Sequence, residues 1–201
     1  MKILLINNFY YNRGGDTTHL FSLKKIFEKK GHEVIIFSMD HPQNIDSEYS
    51  SYFTNFIDYR EELKNKSIKN ALRVISKTIY SFESQKKIKK LIEDTKPDIA
   101  HLQNIHHHIT PSVFSVLKKQ GIPIVWTMHD YTIICPNTSF TAHGKICEAC
   151  KKRKFYQAPL KKCKKDSRAA SLVAAIETYC HRILRVNRHV DAFITPSEFL
   201  K

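Results

Sequence analysis

Lys2-Ile3-Leu4-Leu5-Ile6 is an apolar run that leads into Asn7-Asn8, then into Arg13-Gly14-Gly15-Asp16 and a helical pattern from Leu20. This order predicts a buried strand, a glycine turn and a helix. The first turn of a helix leaves backbone N–H groups without partners, and glycines let a ligand come close to them. The segment therefore predicts an anion or sugar-phosphate site. A flexible turn at Gly14-Gly15 with no ligand is the alternative.

Strand and helix signals alternate along the rest of the chain. Further strands are predicted at 33–38, 97–102, 123–128 and 191–195. Helices are predicted from the Leu20 run to Gly31, over 68–95 as one helix or as two with a break near Ser84, over 111–120 before Gly121, and over 167–186. Strands separated by helices indicate an α/β fold, a Rossmann-like, doubly wound parallel sheet covered on both faces.

Length and composition limit the class of protein. The 201 residues, 42% of them hydrophobic, suit one domain with an ordinary core. The apolar run at the start is too short for a signal peptide or a membrane span, so a cytoplasmic location is expected. The net charge of +14 favours an anionic partner, which can be nucleic acid, anionic lipid or a phosphorylated substrate.

Polar residues follow the predicted strands at the point where each strand ends. They are Asn7, Asn8, Gly14 and Gly15 after the first strand, His101, Asn104 and His106 at another, His129 and Asp130 after the next, and Ser197 and Glu198 after the last. The carboxyl ends of parallel strands share one edge, where ligands bind in such folds. A common cleft is therefore expected. Taken singly, each histidine can be a hydrogen-bonded structural residue, and 106–108 can be a solvated loop.

Four segments together resemble the N-terminal domain of family 4 glycosyltransferases. They are the opening strand with Gly14-Gly15, Lys96-Pro97-Asp98-Ile99-Ala100-His101, the run from Pro123 to Tyr131, and Phe193-Ile194-Thr195-Pro196-Ser197-Glu198-Phe199-Leu200. The likeness is weakest at 40–95 and 136–175. It implies the first half of a GT-B fold, in which this domain mainly binds the acceptor and a second Rossmann-like domain binds a nucleotide-sugar donor. Members are retaining enzymes that use no divalent metal for transfer.

The resemblance also implies roles for single residues. The backbone N–H of Gly15 would approach the donor phosphate, and His129 would be the catalytic histidine near the transferred sugar. Gly14 would join Gly15 in binding substrate, and Asp130 and His101 would be supporting candidates. Asn104, His106 and Ser197 are added as substrate-binding candidates by their positions at the strand ends. The family's donor-binding domain is not among these 201 residues, so this polypeptide is expected to be inactive by itself. The expected acceptor is a saccharide or a lipid-linked glycan in surface polysaccharide synthesis.

Four cysteines are spaced as metal ligands often are: Cys135, the pair Cys147 and Cys150, and Cys163. Two thiolates two residues apart can hold one tetrahedral ion, which two further cysteines can complete. Structural zinc, unligated thiols, and an iron–sulfur or redox role all remain open, and His143 is an alternative ligand. Cys180 lies in an amphipathic run and is expected in the core.

A basic segment surrounds these cysteines, so the fold is expected to carry a Cys-rich basic insertion over about 135–166. Its basic residues are Lys151, Lys152, Arg153, Lys154, Lys161, Lys162, Lys164 and Lys165. It can lie against an anionic membrane, where a peripheral enzyme would meet a lipid-linked acceptor, or it can be a solvated face. Nucleic acid is the weakest of the three interpretations.

Two other classes of protein compete with the transferase. A zinc-stabilised basic module that binds nucleic acid or anionic membrane would explain the cysteines and the lysines, but not the alternation of strands and helices. A dinucleotide-binding oxidoreductase is disfavoured because Asn12-Arg13-Gly14-Gly15-Asp16 lacks the three-glycine spacing of a pyrophosphate turn.

Overall fold

The computed structural model describes residues 1–58 and 68–198. The strands are β1 Lys2–Ile6, β2 Glu33–Phe37, β3 Met39–Asp40, β4 Thr54–Asn55, β5 Ile99–Leu102, β6 Ile124–Thr127, β7 Thr141–Ala142, β8 Lys145–Ile146 and β9 Ala192–Ile194. The helices are α1 Gly15–Lys29, α2 Ile68–Ile79, α3 Phe82–Thr95, α4 Val113–Lys119, α5 Gln157–Lys161 and α6 Arg168–Ile183. Short 3-10 helices span Ser50–Tyr52, Lys151–Arg153 and Val186–His189.

Five strands form one parallel sheet in the order β2-β1-β5-β6-β9. Strand β1 lies between β2 and β5, so successive strands are added on both sides of it, as in a doubly wound sheet. Its residues Leu4, Leu5 and Ile6 are fully buried, as expected for a strand covered on both faces. Leu20 of α1 packs with Leu5 in one apolar cluster. The predicted Rossmann-like α/β fold is confirmed.

The described residues divide into two compact units where the sequence predicts one domain. The first unit contains 1–127 and 188–194, and therefore the whole five-stranded sheet. The second contains 128–187 and the residues after Ile194. In the second unit β7 and β8 form an antiparallel hairpin and α5 packs on α6. The predicted Cys-rich basic insertion lies wholly within this second unit.

The predicted helix over 68–95 is two helices, and the break differs from the expected position. It falls at Tyr80 and Ser81 rather than near Ser84. The Oγ of Ser81 accepts a hydrogen bond of 3.1 Å from the backbone N–H of Ser84, so Ser81 caps α3. The backbone of Ser81 also contacts Thr110 and Ser112, at 3.1 Å each. Periodicity in the sequence could not reveal these contacts from a distant loop.

Two predicted helix ends are confirmed, because Gly31 and Gly121 have φ of 78° and 71° just after α1 and α4. Only glycine adopts this left-handed backbone without steric cost. Tyr59, an aromatic residue in the 40–95 stretch where the family likeness is weakest, lies outside the described residues. Among the helices described, none combines the length and apolar character needed to span a bilayer.

Candidate functional site

Hydrogen bonds between asparagines join the loops that follow β1 and β5. The backbone N–H of Asn8 donates to the carbonyl of Asn104 at 2.8 Å, and that of Asn104 donates to the Oδ1 of Asn7 at 3.0 Å. The Asn8 amide donates to the carbonyl of His106 at 2.7 Å. Asn7 and Asn8 are 1% and 3% exposed, so their amides hold the loops in place and leave Asn104 and His106 half-buried at the carboxyl edge of the sheet.

Helix α1 begins beside this edge, at the predicted glycine pair. The Oγ1 of Thr17 accepts hydrogen bonds from the backbone N–H groups of Arg13 and Gly14, at 3.0 and 3.1 Å, and so shapes the turn before the helix. A Cβ added to Gly15 would meet no atom within 4 Å, which shows open space above the helix start. The guanidinium of Arg13 lies 3.9 Å from the centre of the Phe9 ring. An anion at this helix start would therefore find accessible N–H groups and a nearby positive charge.

His101 lies inside the sheet. It is 7% exposed, and its Nε2 is 2.8 Å from the Oγ1 of Thr127 on the neighbouring strand β6. His106 lies closer to the edge, with its ring centre 5.5 Å from that of Trp126. The two histidines predicted for one site thus have different surroundings: His101 joins two strands, and the ring of His106 lies beside that of Trp126.

An aromatic–imidazole cluster lies beside the loop that follows β5. It consists of Phe9, Tyr11, His41, Phe56 and His108. The rings of Tyr11 and His41 stack with centres 4.8 Å apart, and those of Phe56 and His108 stack at 6.0 Å. Phe9 contacts Tyr11, His41 and His108 edge-on. The sequence suggested no function for Tyr11, His41 or Phe56, although each lies just beyond a strand, which is the signal that could have identified them.

Burial keeps both imidazoles of this cluster neutral near pH 7. Burial first, and then His107, Arg13 and His41, together lower the pKa of His108 to about 4. The pKa of His41 is lowered by burial and then by Arg13. A neutral imidazole offers one N–H donor and one acceptor nitrogen, and two such rings among aromatic faces can bind a neutral polyhydroxylated ligand.

The loop that carries His108 has a strained backbone. Thr110 has φ of 65°, which is costly for a β-branched residue. Hydrogen bonds maintain it: the backbone N–H of Thr110 donates to the carbonyl of Ile105 at 2.7 Å, and its hydroxyl lies 2.8 Å from that of Ser112. This hydrogen-bonded loop fixes the position of His108 against the cluster.

A cavity of about 290 Å³ adjoins His108. Its polar lining includes Asn55, Tyr80, Ser81 and Glu83, and Phe82 supplies an aromatic wall. The cavity lies between the end of β4, the start of α3 and the loop after β5. Its mixture of donors, acceptors and aromatic surface is typical of a site for a small polar ligand.

His129 and Asp130 belong to the second unit. His129 is half-buried, and the Oδ1 of Asp130 accepts a 2.9 Å hydrogen bond from the backbone N–H of Thr132. Burial lowers the pKa of Lys164, while Glu177 and Asp130 raise it, so both carboxylates lie near this ammonium. Glu177 is 6% exposed. The loop after β6 is thus linked to a partly buried group of charges that the sequence did not indicate.

The four clustered cysteines also lie in the second unit, and none of them forms a disulfide. Burial first, and then the neighbouring Cys135, Cys163 and Cys147, together raise the pKa of Cys150 to about 11. Those three thiols therefore lie close enough to Cys150 to act on it electrostatically, and the metal site stays a prediction. The alternative ligand His143 is already engaged: its Nε2 is 2.6 Å from the carbonyl of Lys161, and its Nδ1 is 3.1 Å from Asp166.

The predicted residues of the first unit lie at or near the carboxyl edge of the sheet: Gly14, Gly15, His101, Asn104 and His106. Ser197 is exposed and follows β9 by three residues. The shared cleft between Gly15 and His129 stays a prediction, because these two residues belong to different units.

Comparison with known proteins agrees with this architecture. Residues 13–201 match the family described as Glycosyltransferase Family 4. The chain is also 29% identical over 152 residues to an "Uncharacterized 42.6 kDa protein in cps region" of Klebsiella pneumoniae. That alignment covers 72% of this chain and 40% of the relative, so the match spans well under half of that relative's length.

Proposed function

This chain belongs to glycosyltransferase family 4, and from that membership we propose that it is the acceptor-side half of a retaining enzyme. The enzyme would transfer a sugar from a nucleotide-sugar donor to a saccharide or lipid-linked acceptor. A second Rossmann-like domain, as the family resemblance implies, would hold the donor. No catalytic metal is required in this proposal, because protein groups would stabilise the departing diphosphate.

The observation that carries this proposal is the grouping of ligand-binding features at the carboxyl edge of the sheet. The cavity near His108 and the aromatic–imidazole cluster lie beside loops that Asn7 and Asn8 hold in place by hydrogen bonds. The apolar face of a sugar ring packs on aromatic side chains, while neutral imidazole, amide and hydroxyl groups bond its hydroxyls. We assign the acceptor saccharide to this region.

The start of α1 would contact the diphosphate of the donor. The first N–H groups of a helix attract a phosphate, and the open space above Gly15 allows the close approach that a side chain would obstruct. Arg13, held over Phe9, adds a positive charge to this place. The donor itself would be bound mainly by the second domain, with Gly15 contacting a diphosphate oxygen.

His129 would act at the reaction centre. Its imidazole can hydrogen-bond a hydroxyl of the transferred sugar and stabilise charge that develops as the glycosidic bond to the diphosphate breaks. Asp130 would support this role by orienting the loop, because its carboxylate already accepts a hydrogen bond from Thr132.

A cytoplasmic location at the membrane face would suit a lipid-linked acceptor. Seven of the eight basic residues between 151 and 165 are exposed, the exception being Lys164. Leu160 and Tyr156 are 66% and 50% exposed among them. Lysines with interspersed apolar side chains favour an anionic bilayer surface over plain solvent, and we propose no nucleic-acid partner.

Surface polysaccharide synthesis is the pathway we propose, supported by the cps-region relative. The test is a transfer assay with the complete gene product, a panel of nucleotide-activated sugars, and saccharide and lipid-linked acceptors. We expect nucleotide release that depends on acceptor, no requirement for divalent metal, and retention at the anomeric carbon. The 201-residue chain assayed alone should transfer no sugar, since the two halves must bring the reacting atoms within about 3 to 3.5 Å. Full activity of this chain alone, or inversion by the complete enzyme, would contradict the proposal.

A further inference from the structure

The cysteine-rich segment, residues 135–166, has little regular structure to maintain its conformation. It contains a hairpin of two-residue strands, one 3-10 turn and the five-residue helix α5. Eight of its non-glycine residues have a left-handed backbone: Thr138, Phe140, His143, Lys152, Arg153, Lys162, Lys165 and Asp166. Each costs about 1 to 2 kcal/mol relative to the right-handed form. The segment therefore needs a compensating source of stability.

The apolar core beneath this segment is too small to be that source. It consists of Phe155, Ala158 and Ala175, with Tyr179 packed at its side. Two of these are alanines, whose burial contributes little, and many residues around them are exposed charges. Small loop-rich segments of this kind are commonly stabilised by disulfides or by a structural metal. All five cysteines are free of disulfides, so the metal is the stabiliser that this arrangement points to.

The fold brings the four cysteines together from separate parts of the segment. Cys150 and Cys163 pack against the same Phe155 cluster, although thirteen positions separate them in the chain. The backbone N–H of Cys147 donates to the carbonyl of Phe140 at 2.7 Å, and the ring of Phe140 lies 4.5 Å from that of Tyr131. The backbone N–H of Cys135 donates a hydrogen bond to the carbonyl of this same Tyr131, at 2.8 Å. Hydrogen bonds and ring packing thus hold Cys135 and Cys147 on one side, and the apolar cluster holds Cys150 and Cys163 on the other.

We propose that Cys135, Cys147, Cys150 and Cys163 bind one structural zinc ion that stabilises the second unit. Cys147 and Cys150 have the two-residue spacing that grips a tetrahedral ion, and the other two thiolates would complete a four-sulfur site. Across the described residues, no three of these sulfur atoms all lie within 4.8 Å of one another. Binding would draw them inward to the roughly 3.8 Å that tetrahedral Zn–S bonds near 2.3 Å impose.

The charges around the cluster suit this ion. Zinc with four thiolates carries a net charge of −2, which needs neighbouring cations. Lys161 lies close enough to Cys150 to act on it electrostatically, and exposed lysines flank both Cys150 and Cys163 in the sequence. Glu148 pairs with Lys151, but lysines and arginine outnumber carboxylates in this segment, and a cluster of charge −2 would supply further counter-charge. Under this proposal the basic residues balance the negative charge of the zinc cluster, a role that does not require a membrane.

The test is metal analysis of the 201-residue chain, purified under reducing conditions from zinc-supplemented medium without chelators. We expect about one equivalent of zinc in the wild type and close to none in Cys150→Ser and Cys163→Ser. Cys180→Ser is the matched control, because Cys180 lies on α6 outside the cluster, and this variant should keep its zinc. Replacing the zinc with Co²⁺ should give the visible absorption of tetrahedral thiolate ligation.

A measurement on the unaltered chain covers the case in which a serine variant fails to fold. In the zinc form a thiol reagent should modify Cys180, which is half-buried rather than in the core, faster than the four ligands. A chelator should make all five react, increase proteolysis within 135–166, and leave the parallel sheet detectable by circular dichroism. Metal-free protein, equal zinc in Cys150→Ser and Cys180→Ser, bound iron, or a disulfide between Cys147 and Cys150 would each overturn the proposal. None of these results bears on sugar transfer, which the complete enzyme tests separately.

Discussion

The Nε2 of His101 lies 2.8 Å from the Oγ1 of Thr127, and the two side chains are 7% and 1% exposed. They connect the neighbouring strands β5 and β6 near the carboxyl edge of the sheet. A polar atom at this depth is costly unless it has a hydrogen-bond partner. The pair therefore stabilises the sheet just beneath the loops that carry Asn104 and His106.

Thr127→Val keeps the shape of the side chain and removes this hydrogen bond. We expect the free energy of unfolding to fall by about 1 to 3 kcal/mol, because the His101 ring loses a buried partner. Urea unfolding measures the change. Thr141→Val, at an exposed position, should stay within about 0.5 kcal/mol of the wild type. Equal midpoints for both variants would show that the His101 bond contributes nothing.

Gly15→Ala tests the approach of a phosphate to α1. Because the added methyl group meets no protein atom within 4 Å, the melting temperature should not fall. In the complete enzyme kcat/KM should drop about tenfold or more, the equivalent of one weakened hydrogen bond to a charged group. Ser22→Ala on the same helix should retain the wild-type rate. Unchanged kinetics in Gly15→Ala would place the diphosphate elsewhere.

His129→Ala should lower kcat of the complete enzyme by about 10²-fold or more if the imidazole stabilises the transition state. His129→Gln, which keeps one hydrogen-bond donor, should recover part of this loss. His32→Ala is the control, since His32 precedes β2 at the opposite edge of the sheet. A wild-type rate in His129→Ala would make His129 a structural residue only.

The buried imidazole of His108 should make the fold sensitive to acid. Its native pKa is about 4, compared with an ordinary value of 6.5, so the unfolded chain binds the proton first. The stability that the neutral His108 ring contributes is fully present above pH 6.5 and is lost as the pH falls towards 4. The total loss in the free energy of unfolding is at most about 3 kcal/mol. His108→Phe should lose less stability than the wild type between pH 7 and pH 4.5 in urea titrations. Parallel pH profiles would mean that His108 titrates normally.

Membrane contact can be tested by co-sedimentation with vesicles. We expect the chain to bind vesicles containing anionic lipid more tightly than neutral ones, and to bind less as salt is raised. Leu160→Ser combined with Lys154→Gln and Lys162→Gln should weaken binding about tenfold or more, given about 1 kcal/mol for each charge. Lys29→Gln with Lys30→Gln, at the C-terminal end of α1, is the matched control. Equal binding to neutral and anionic vesicles would leave the basic segment as a solvated face.

The five-stranded sheet was predictable because its signals are local. Apolar runs such as Val34-Ile35-Ile36-Phe37 are fully buried only where both faces of a strand are covered. Gly31 adopts a left-handed backbone that costs other residues energy, so it marks a helix end. Once the strands were located, the candidate positions at their ends were predictable too, since parallel strands present their carboxyl ends at one edge.

Other features depend on contacts between residues far apart in the chain. The break at Ser81 is set by Thr110 and Ser112, and the cluster of His41, Phe56 and His108 assembles from three separate loops. No short window of sequence contains such pairs, so neither periodicity nor spacing could predict them.

By itself, the sequence determined the order of strands and helices, the Rossmann-like sheet and the spacing of the four cysteines, because hydrophobic periodicity, glycine and cysteine act over a few neighbouring residues. Tertiary structure alone decided which polar residues are buried. His101 and Asn8 are hydrogen-bonded within the fold, while Gly15 opens to free space. The reason is physical: the burial and the pKa of a side chain depend on atoms brought to it by distant segments, and those positions exist only once the chain has folded.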